Sequence, residues 1–379
     1  MSRFWRGVMF AGVLAAGQPG GPVTAAPLLA ATDARQPAPP PVPGPTARPT
    51  APEPPRPPAP ETRPRRDSER RAARAATQER RRAEHVGWRA GDQEPIVKMF
   101  TGGDGVTLDL LNMSGDVSVV GGTGKGGKLT VVRRVRGGQD AERLSRELDV
   151  VVAEHANRIS VRTRMPAGHE GREFMRQVRT DYEIALPAGM ALELKNLQGN
   201  VTLVNVPGDV RVEAYAGDVV AEALSRVRML RSMSGDVMLT RSTVEGDANL
   251  QSVSGDVVAQ AVKATSLTLG TVSGSVHVKE STSLRALVRT VSGDIEFAAA
   301  PRRSGRYELK SHGGNIVVSA PGGPGFEFEA STFKGEVQSD VPTQAVVGGA
   351  RQVRGSVGDG SAFFELTSFT GDIRIRKKE

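Results

Sequence analysis

Ser234-Gly235-Asp236-Val237 and Ser254-Gly255-Asp256-Val257 are two copies of one tetrapeptide that returns along this chain at nearly constant spacing. Further copies are Ser114-Gly115-Asp116-Val117, Gln198-Gly199-Asn200-Val201, Ala216-Gly217-Asp218-Val219, Ser273-Gly274-Ser275-Val276 and Ser292-Gly293-Asp294-Ile295. Weaker ones surround Gly314, Gly335, Gly355 and Gly371. From Gly199 to Gly355 the steps are 18, 18, 20, 19, 19, 21, 21 and 20 residues. A fixed period of about 20 residues marks one structural unit stacked on itself.

Aligning the copies on their glycine exposes apolar columns. Two residues after it stand Val219, Val237, Val257 and Ile295; four after it, Leu203, Leu239, Val278 and Phe297. Five before it stand Val212, Leu230, Leu250 and Leu269. A fourth column, two before it, contains Leu197, Tyr215, Met233, Val253, Val272, Val291, Phe333 and Phe369, and is expected to face inward with the others. Apolar spacing of two with many β-branched residues reads as half-buried strands rather than helices. Glycine between two such runs supplies the corner. One unit of this size cannot bury its own apolar face, so copies stack in register. The expected fold is all-β: a single-stranded parallel β-helix, or β-solenoid, of about 20-residue coils. Nine or ten coils at about 4.8 Å each make a rod roughly 45 Å long.

The array occupies only part of the 379 residues. Arg3 and Arg6 precede a short apolar run, Val8 to Ala16, and Val23-Thr24-Ala25 offers small residues for cleavage, so residues 1–25 read as a secretory signal. Residues 26–64 are Pro-rich and read as an extended, disordered linker. Residues 65–91 read as an Arg-rich helical or disordered segment. Thr62 to Gly91 holds ten Arg against four acidic residues, which accounts for most of the chain's net +8 and leaves the solenoid neutral. The chain has no Cys, which excludes a lipidated cysteine and any disulfide. The solenoid is expected over 92–379.

Between 120 and 186 the period lapses, and a cap or insertion of mixed α and β structure is expected. Lys128 to Val135, Val150 to Val152 and Ile159 to Thr163 read as strands, and Gln139 to Leu148 as a helix capped by Asp140. Such a piece covers strand edges that would otherwise invite aggregation. The glycine-rich run Gly121 to Gly127 reads as a hairpin, because it lacks the Lys-Ser/Thr ending of a phosphate loop.

An opening strand ending in Asn112-Met113-Ser114-Gly115-Asp116-Val117, then Tyr182-Glu183-Ile184-Ala185-Leu186-Pro187-Ala188-Gly189, lead into the array. Together with the Ser-Gly-Asp-Val copies, this arrangement resembles the bacterial DUF4097 family of adhesin-type β-strand-repeat proteins, related to head-GIN domains. The resemblance covers about residues 96–379. It implies a β-helical, envelope-associated protein and brings no catalytic motif with it.

The candidate site residues are the repeat-turn ladder, Gly217, Asp218, Gly235, Asp236, Gly255, Asp256, Gly293 and Asp294. Aspartate is a favoured turn residue that bonds local backbone, so the ladder reads as structural. A cation site and a hydrolytic carboxylate pair about 5 Å apart are the chemical alternatives. Ser275, Asn315 and Glu336 interrupt the ladder, so no carboxylate pair is privileged. His85, His155, His169, His277 and His312 show no metal-ligand pairing, and no cofactor is expected. Arg80, Arg81 and Arg82 are candidates for contact with anionic lipid or wall polymer; export makes nucleic acid an unexpected partner. The expected function is that of a non-enzymatic exported solenoid, adhesin-like in surface binding or structural in the envelope, with an unknown envelope partner. An envelope-stress sensor or scaffold and a carbohydrate-active β-helix enzyme remain open beside it.

Overall fold

The computed structural model describes residues 87–165, 171–320, 324–341 and 344–377, all within the compact unit Ser68–Glu379. The expected signal, the Pro-rich linker and most of the Arg-rich segment, with Arg80, Arg81 and Arg82, lie outside the described residues.

The chain enters through β1 (Arg89–Ala90) and β2 (Ile96–Thr101) and makes a first coil from β3 (Thr107–Asn112) and β4 (Val117–Gly121). An excursion follows: β5 (Gly126–Val135), α1 (Gln139–Glu147), β6 (Asp149–His155), β7 (Arg158–Arg164), α2 (Gly171–Gln177) and β8 (Val178–Leu186). The regular coils then pair a long strand with a short one. They are β9 (Ala191–Gln198) with β10 (Val201–Val204), β11 (Asp209–Ala216) with β12 (Val219–Glu222), and β13 (Arg226–Ser234) with β14 (Val237–Thr240). Next come β15 (Asp247–Ser254) with β16 (Val257–Gln260), β17 (Ser266–Ser273) with β18 (Val276–Lys279), and β19 (Arg285–Ser292) with β20 (Ile295–Ala298). The last strands are β21 (Arg306–Ser311), β22 (Ile316–Ala320), β23 (Phe326–Thr332), β24 (Val337–Ser339), β25 (Gln344–Gly349), β26 (Gln352–Val357), β27 (Ala362–Ser368) and β28 (Ile373–Lys377).

Long strands stack in one sheet and short strands in the other, so the fold is a parallel β-solenoid. Register is strict: Val201, Val219, Val237, Val257, Val276 and Ile295 are backbone partners in succession. All six are fully buried, and they meet the long-strand column of Val212, Leu230, Leu250, Leu269 and Val288 in one continuous core. Between short strand and next long strand the chain turns through residues with left-handed backbone, among them Asn205, Ala223, Arg241, Ala261 and Glu280. In the middle coils a narrow third side follows, tied by bridges Thr243 to Lys263 to Thr282.

The ends depart from chain order. β27 lies between β21 and β23, and β28 between β22 and β24. The glycine corners therefore stack as Gly314, Gly371, Gly335. Gly355 is no corner at all; it sits in β26, antiparallel to β23 and opposite Phe328. At the other end β7 and β8 form a coil outside β3 and β4, and antiparallel β5 and β6 close its edges. The expected cap is thus present, with α2 in addition, and its β1 pairing begins at Arg89. Two local expectations fail. Gly138, not Asp140, occupies the N-cap position of α1, with no side-chain cap bond; Asp140 lies in the first turn, where a negative charge is favoured. The glycine run after β4 is not a hairpin, because β8 intervenes between β4 and β5.

Candidate functional site

The glycine corner recurs in the same place in every regular coil, and its construction begins with crowding. A Cβ on Gly217 would collide with the backbone carbonyl of Gly199, and the Gly217 φ of +136° disfavours any L side chain. The coils approach so closely here that only glycine fits.

Two columns of polar side chains hold that approach together. Outside the corner, Asp218 Oδ1 accepts from the backbone N–H of Asp236 at 2.8 Å, Asp236 Oδ1 from Asp256 at 2.9 Å, and Asp256 Oδ1 from Ser275 at 2.8 Å. Asp294 continues to Asn315 at 3.0 Å, and Asn315 to Asp372 at 2.9 Å. The ladder residues are brought together as the sequence suggests, but each bonds the backbone of the following coil rather than its own turn. Asn200 substitutes with its amide oxygen, accepting from Asp218 at 3.0 Å. The requirement at this position is an acceptor one carbon out, not a charge.

Inside the corner, the residue three before the glycine donates to the glycine carbonyl of the neighbouring coil, except at Gly217, where that residue is Ala214. Ser232 reaches Gly217 at 2.8 Å, Ser252 reaches Gly235 at 2.8 Å and Thr271 reaches Gly255 at 2.8 Å. At the first coils the same place holds buried Asn112 and Asn196, with Asn112 Nδ2 bonding Asn196 Oδ1 at 3.1 Å. This column was not foreseen. Its signal is in the sequence, a Ser, Thr or Asn before nearly every glycine, but a search for apolar columns passes over it.

The same parity corrects the fourth apolar column. Strand side chains alternate, so residues five and three before the glycine share the inner face and the residue two before it must face out. Leu197, Tyr215, Val272 and Val291 are exposed, and Met233 and Val253 are half-buried between them. Toward the far end the column runs through His312, Phe369 and Phe333, whose rings stack at centroid separations of 4.7 and 4.9 Å. Tyr215 and Phe333 are each 60% exposed. The result is a single-file apolar stripe along the outside of the long-strand sheet. It is bordered on the corner side by exposed Ser234, Ser254, Ser273 and Ser292 and the acidic ladder.

Elsewhere the surface is laced with ion pairs. On the short-strand sheet Glu296 lies between His277 Nδ1 at 2.9 Å and Lys279 Nζ at 3.2 Å. The hydrogen bond from His277, reinforced by Lys279 against the cost of partial burial, pulls its carboxyl down from its ordinary 4.5 to about 2. Among the described residues no three His, Cys, Asp or Glu side chains gather as metal ligands, and no helix is long and apolar enough to cross a membrane.

Comparison with known proteins adds the family. A solved structure described as a "putative adhesin" from Bacteroides fragilis is 14% identical, covers 76% of this chain and 98% of its own, and superposes with a TM-score of 0.39. A "putative cell adhesion protein" from Clostridium sporogenes gives 13%, 75%, 100% and 0.20. A "putative lipid binding protein" from Parabacteroides distasonis gives 14%, 76%, 98% and 0.36. No curated protein matches the chain. The family model for DUF4097, described as Toastrack, matches residues 142–376, more than half of the chain. This solenoid therefore belongs to the DUF4097 (Toastrack) family.

Proposed function

We propose that this protein is a non-enzymatic, exported, adhesin-like binding protein of the bacterial envelope, working through the stripe outside the glycine corner. The observation that supports it is the exposure of that apolar column along the array. Core packing does not require those side chains to be apolar, and contiguous exposed apolar surface marks interaction sites. The acidic ladder serves the stack itself, each carboxylate bonding the next coil. The arginines of 65–91, Arg80, Arg81 and Arg82 among them, add an electrostatic hold on anionic lipid or wall polymer.

The test is attachment of the full chain, immobilised on beads, to bacterial envelope fragments. Tyr215→Ser with Phe333→Ser should weaken attachment about tenfold or more while leaving the melting curve unchanged. Equal attachment by that variant would refute the stripe. Replacing Arg80, Arg81 and Arg82 with Gln should remove a salt-sensitive part of the binding, as screening lengths fall from about 10 Å at 0.1 M to about 3 Å at 1 M. A polysaccharide-cleavage screen showing turnover that disappears in Asp236→Asn would replace the whole reading with an enzymatic one.

A further inference from the structure

We infer that the partner of the stripe is a second copy of this chain, the two solenoids lying side by side and parallel about a two-fold axis along the coil stack. The inference rests on the reading of the stripe as the working surface and makes a second copy its resting occupant, with which envelope material competes for the same side chains.

The first argument is extent. Nine stacked positions, from Leu197 to Phe333, span about 40 Å at about 4.8 Å per coil. A band running from the corner six residues back along the long strands is about 20 Å wide at about 3.3 Å per residue. That gives about 800 Å² per partner, the area of a stable pair. The band also has the layout of an interface, with apolar side chains along its spine and serines and charges at its margins.

The second argument is charge, and it fixes the orientation. On the corner side of the stripe runs the acidic ladder, Asp218, Asp236, Asp256 and Asp294. On the other side, four residues before the glycine, the charged positions are Lys195, Arg231, Arg289 and Lys310, with Glu213 the one acidic member. Gln251, Gly270, Thr367 and Ser331 in that row are uncharged. Within the chain Lys195 pairs with Glu213, and Arg289 and Lys310 pair with Glu308. An axis across the stripe would lay acidic ladder on acidic ladder. An axis along it lays each acidic ladder against the partner's mostly basic row, Arg231 beside Asp236 and Arg289 beside Asp294, with Glu213 beside Asp218 the one like-charged pair. A surface that opposes like charges disfavours one pairing as strongly as it selects the other. In the selected pairing every coil meets its own counterpart, with Tyr215 opposite Tyr215 and Val272 opposite Val272.

Sedimentation of the full chain across a range of concentrations should show a dimer. Val272→Glu, at an exposed position, should weaken it about 100-fold or more without moving the melting temperature measured at dilutions where the parent is monomeric. Because the chain has no Cys, single cysteines report geometry directly. Tyr215→Cys and Val291→Cys should each couple to themselves through a short bis-maleimide. A dimer in which only Val272→Cys couples to itself would be antiparallel and would overturn the inference. A monomer at all concentrations overturns it too. If that monomer still attaches to envelope fragments through Tyr215 and Phe333, the adhesin-like reading survives; if the stripe variant attaches equally well, both fall.

Discussion

Thr271 and Val272 are chain neighbours that face opposite sides of one strand: the threonine hydroxyl donates to the carbonyl of Gly255 at 2.8 Å within the stack, while the valine is 48% exposed outside it. Their hydrophobicities suggest the reverse. Thr271→Val keeps the volume but leaves a buried carbonyl without its donor, a loss of about 1–2 kcal/mol. Val272→Ser should stay within about 0.5 kcal/mol of the parent. Urea unfolding under conditions where the chain is monomeric compares the two, and a larger loss for Val272→Ser would reverse the assignment of faces.

The glycine corner gives a sharper expectation. Gly217→Ala places a methyl against the Gly199 carbonyl at a backbone angle that alanine avoids. Neither coil can move without breaking the ladder on both sides. A loss of about 3 kcal/mol or more is expected, seen as a large fall in the denaturation midpoint.

Val257 lies at zero exposure in the column between Val237 and Val276. Val257→Asp buries an unpaired charge among apolar neighbours and costs several kcal/mol. The variant should be insoluble or lack a cooperative melt. A soluble, cooperatively melting protein would show that the column is not the core.

Glu296 provides the pH dependence. Its folded carboxyl is depressed from 4.5 to about 2, chiefly by the hydrogen bond from His277. A depressed acid contributes stability that is fully present above its unfolded value and lost as pH falls toward the folded one. The side chain is 40% exposed, so the contribution is about 1 kcal/mol or less. The stability difference between the parent and Glu296→Gln should be constant above about pH 5 and vanish toward pH 2. A difference that grew on acidification would contradict the assigned partners.

The coil was legible because a period of about 20 residues leaves no other way to bury Val219, Val237 and Val257 together. Chain order at the ends was not. Gly314, Gly335 and Gly371 carry the same local pattern wherever they stack, and local pattern does not encode which coil neighbours which. Gly355 shows the converse, a glycine at the right distance placed in an antiparallel strand. The ladder residues were visible, but their bonds cross between coils, a relationship that a single repeat cannot display. The stripe was visible as composition and misplaced as geometry, because five and two differ by an odd number and so lie on opposite faces.

The inserted last coil sets an order of events. Phe364 of β27 stacks on Tyr307 at 4.5 Å and meets Phe326 edge-on at 5.0 Å, standing between residues that precede it in the chain. A polypeptide made amino end first presents Tyr307 and Phe326 before the strand that separates them exists. The growing stack can advance as far as β22, then holds a raw edge while residues 326–361 wait without a seat. Arrival of residues 362–377 completes two coils in one step. Closure of this end thereby waits for residues 362–377, and the interval before they arrive is when a protease or a chaperone has its opportunity.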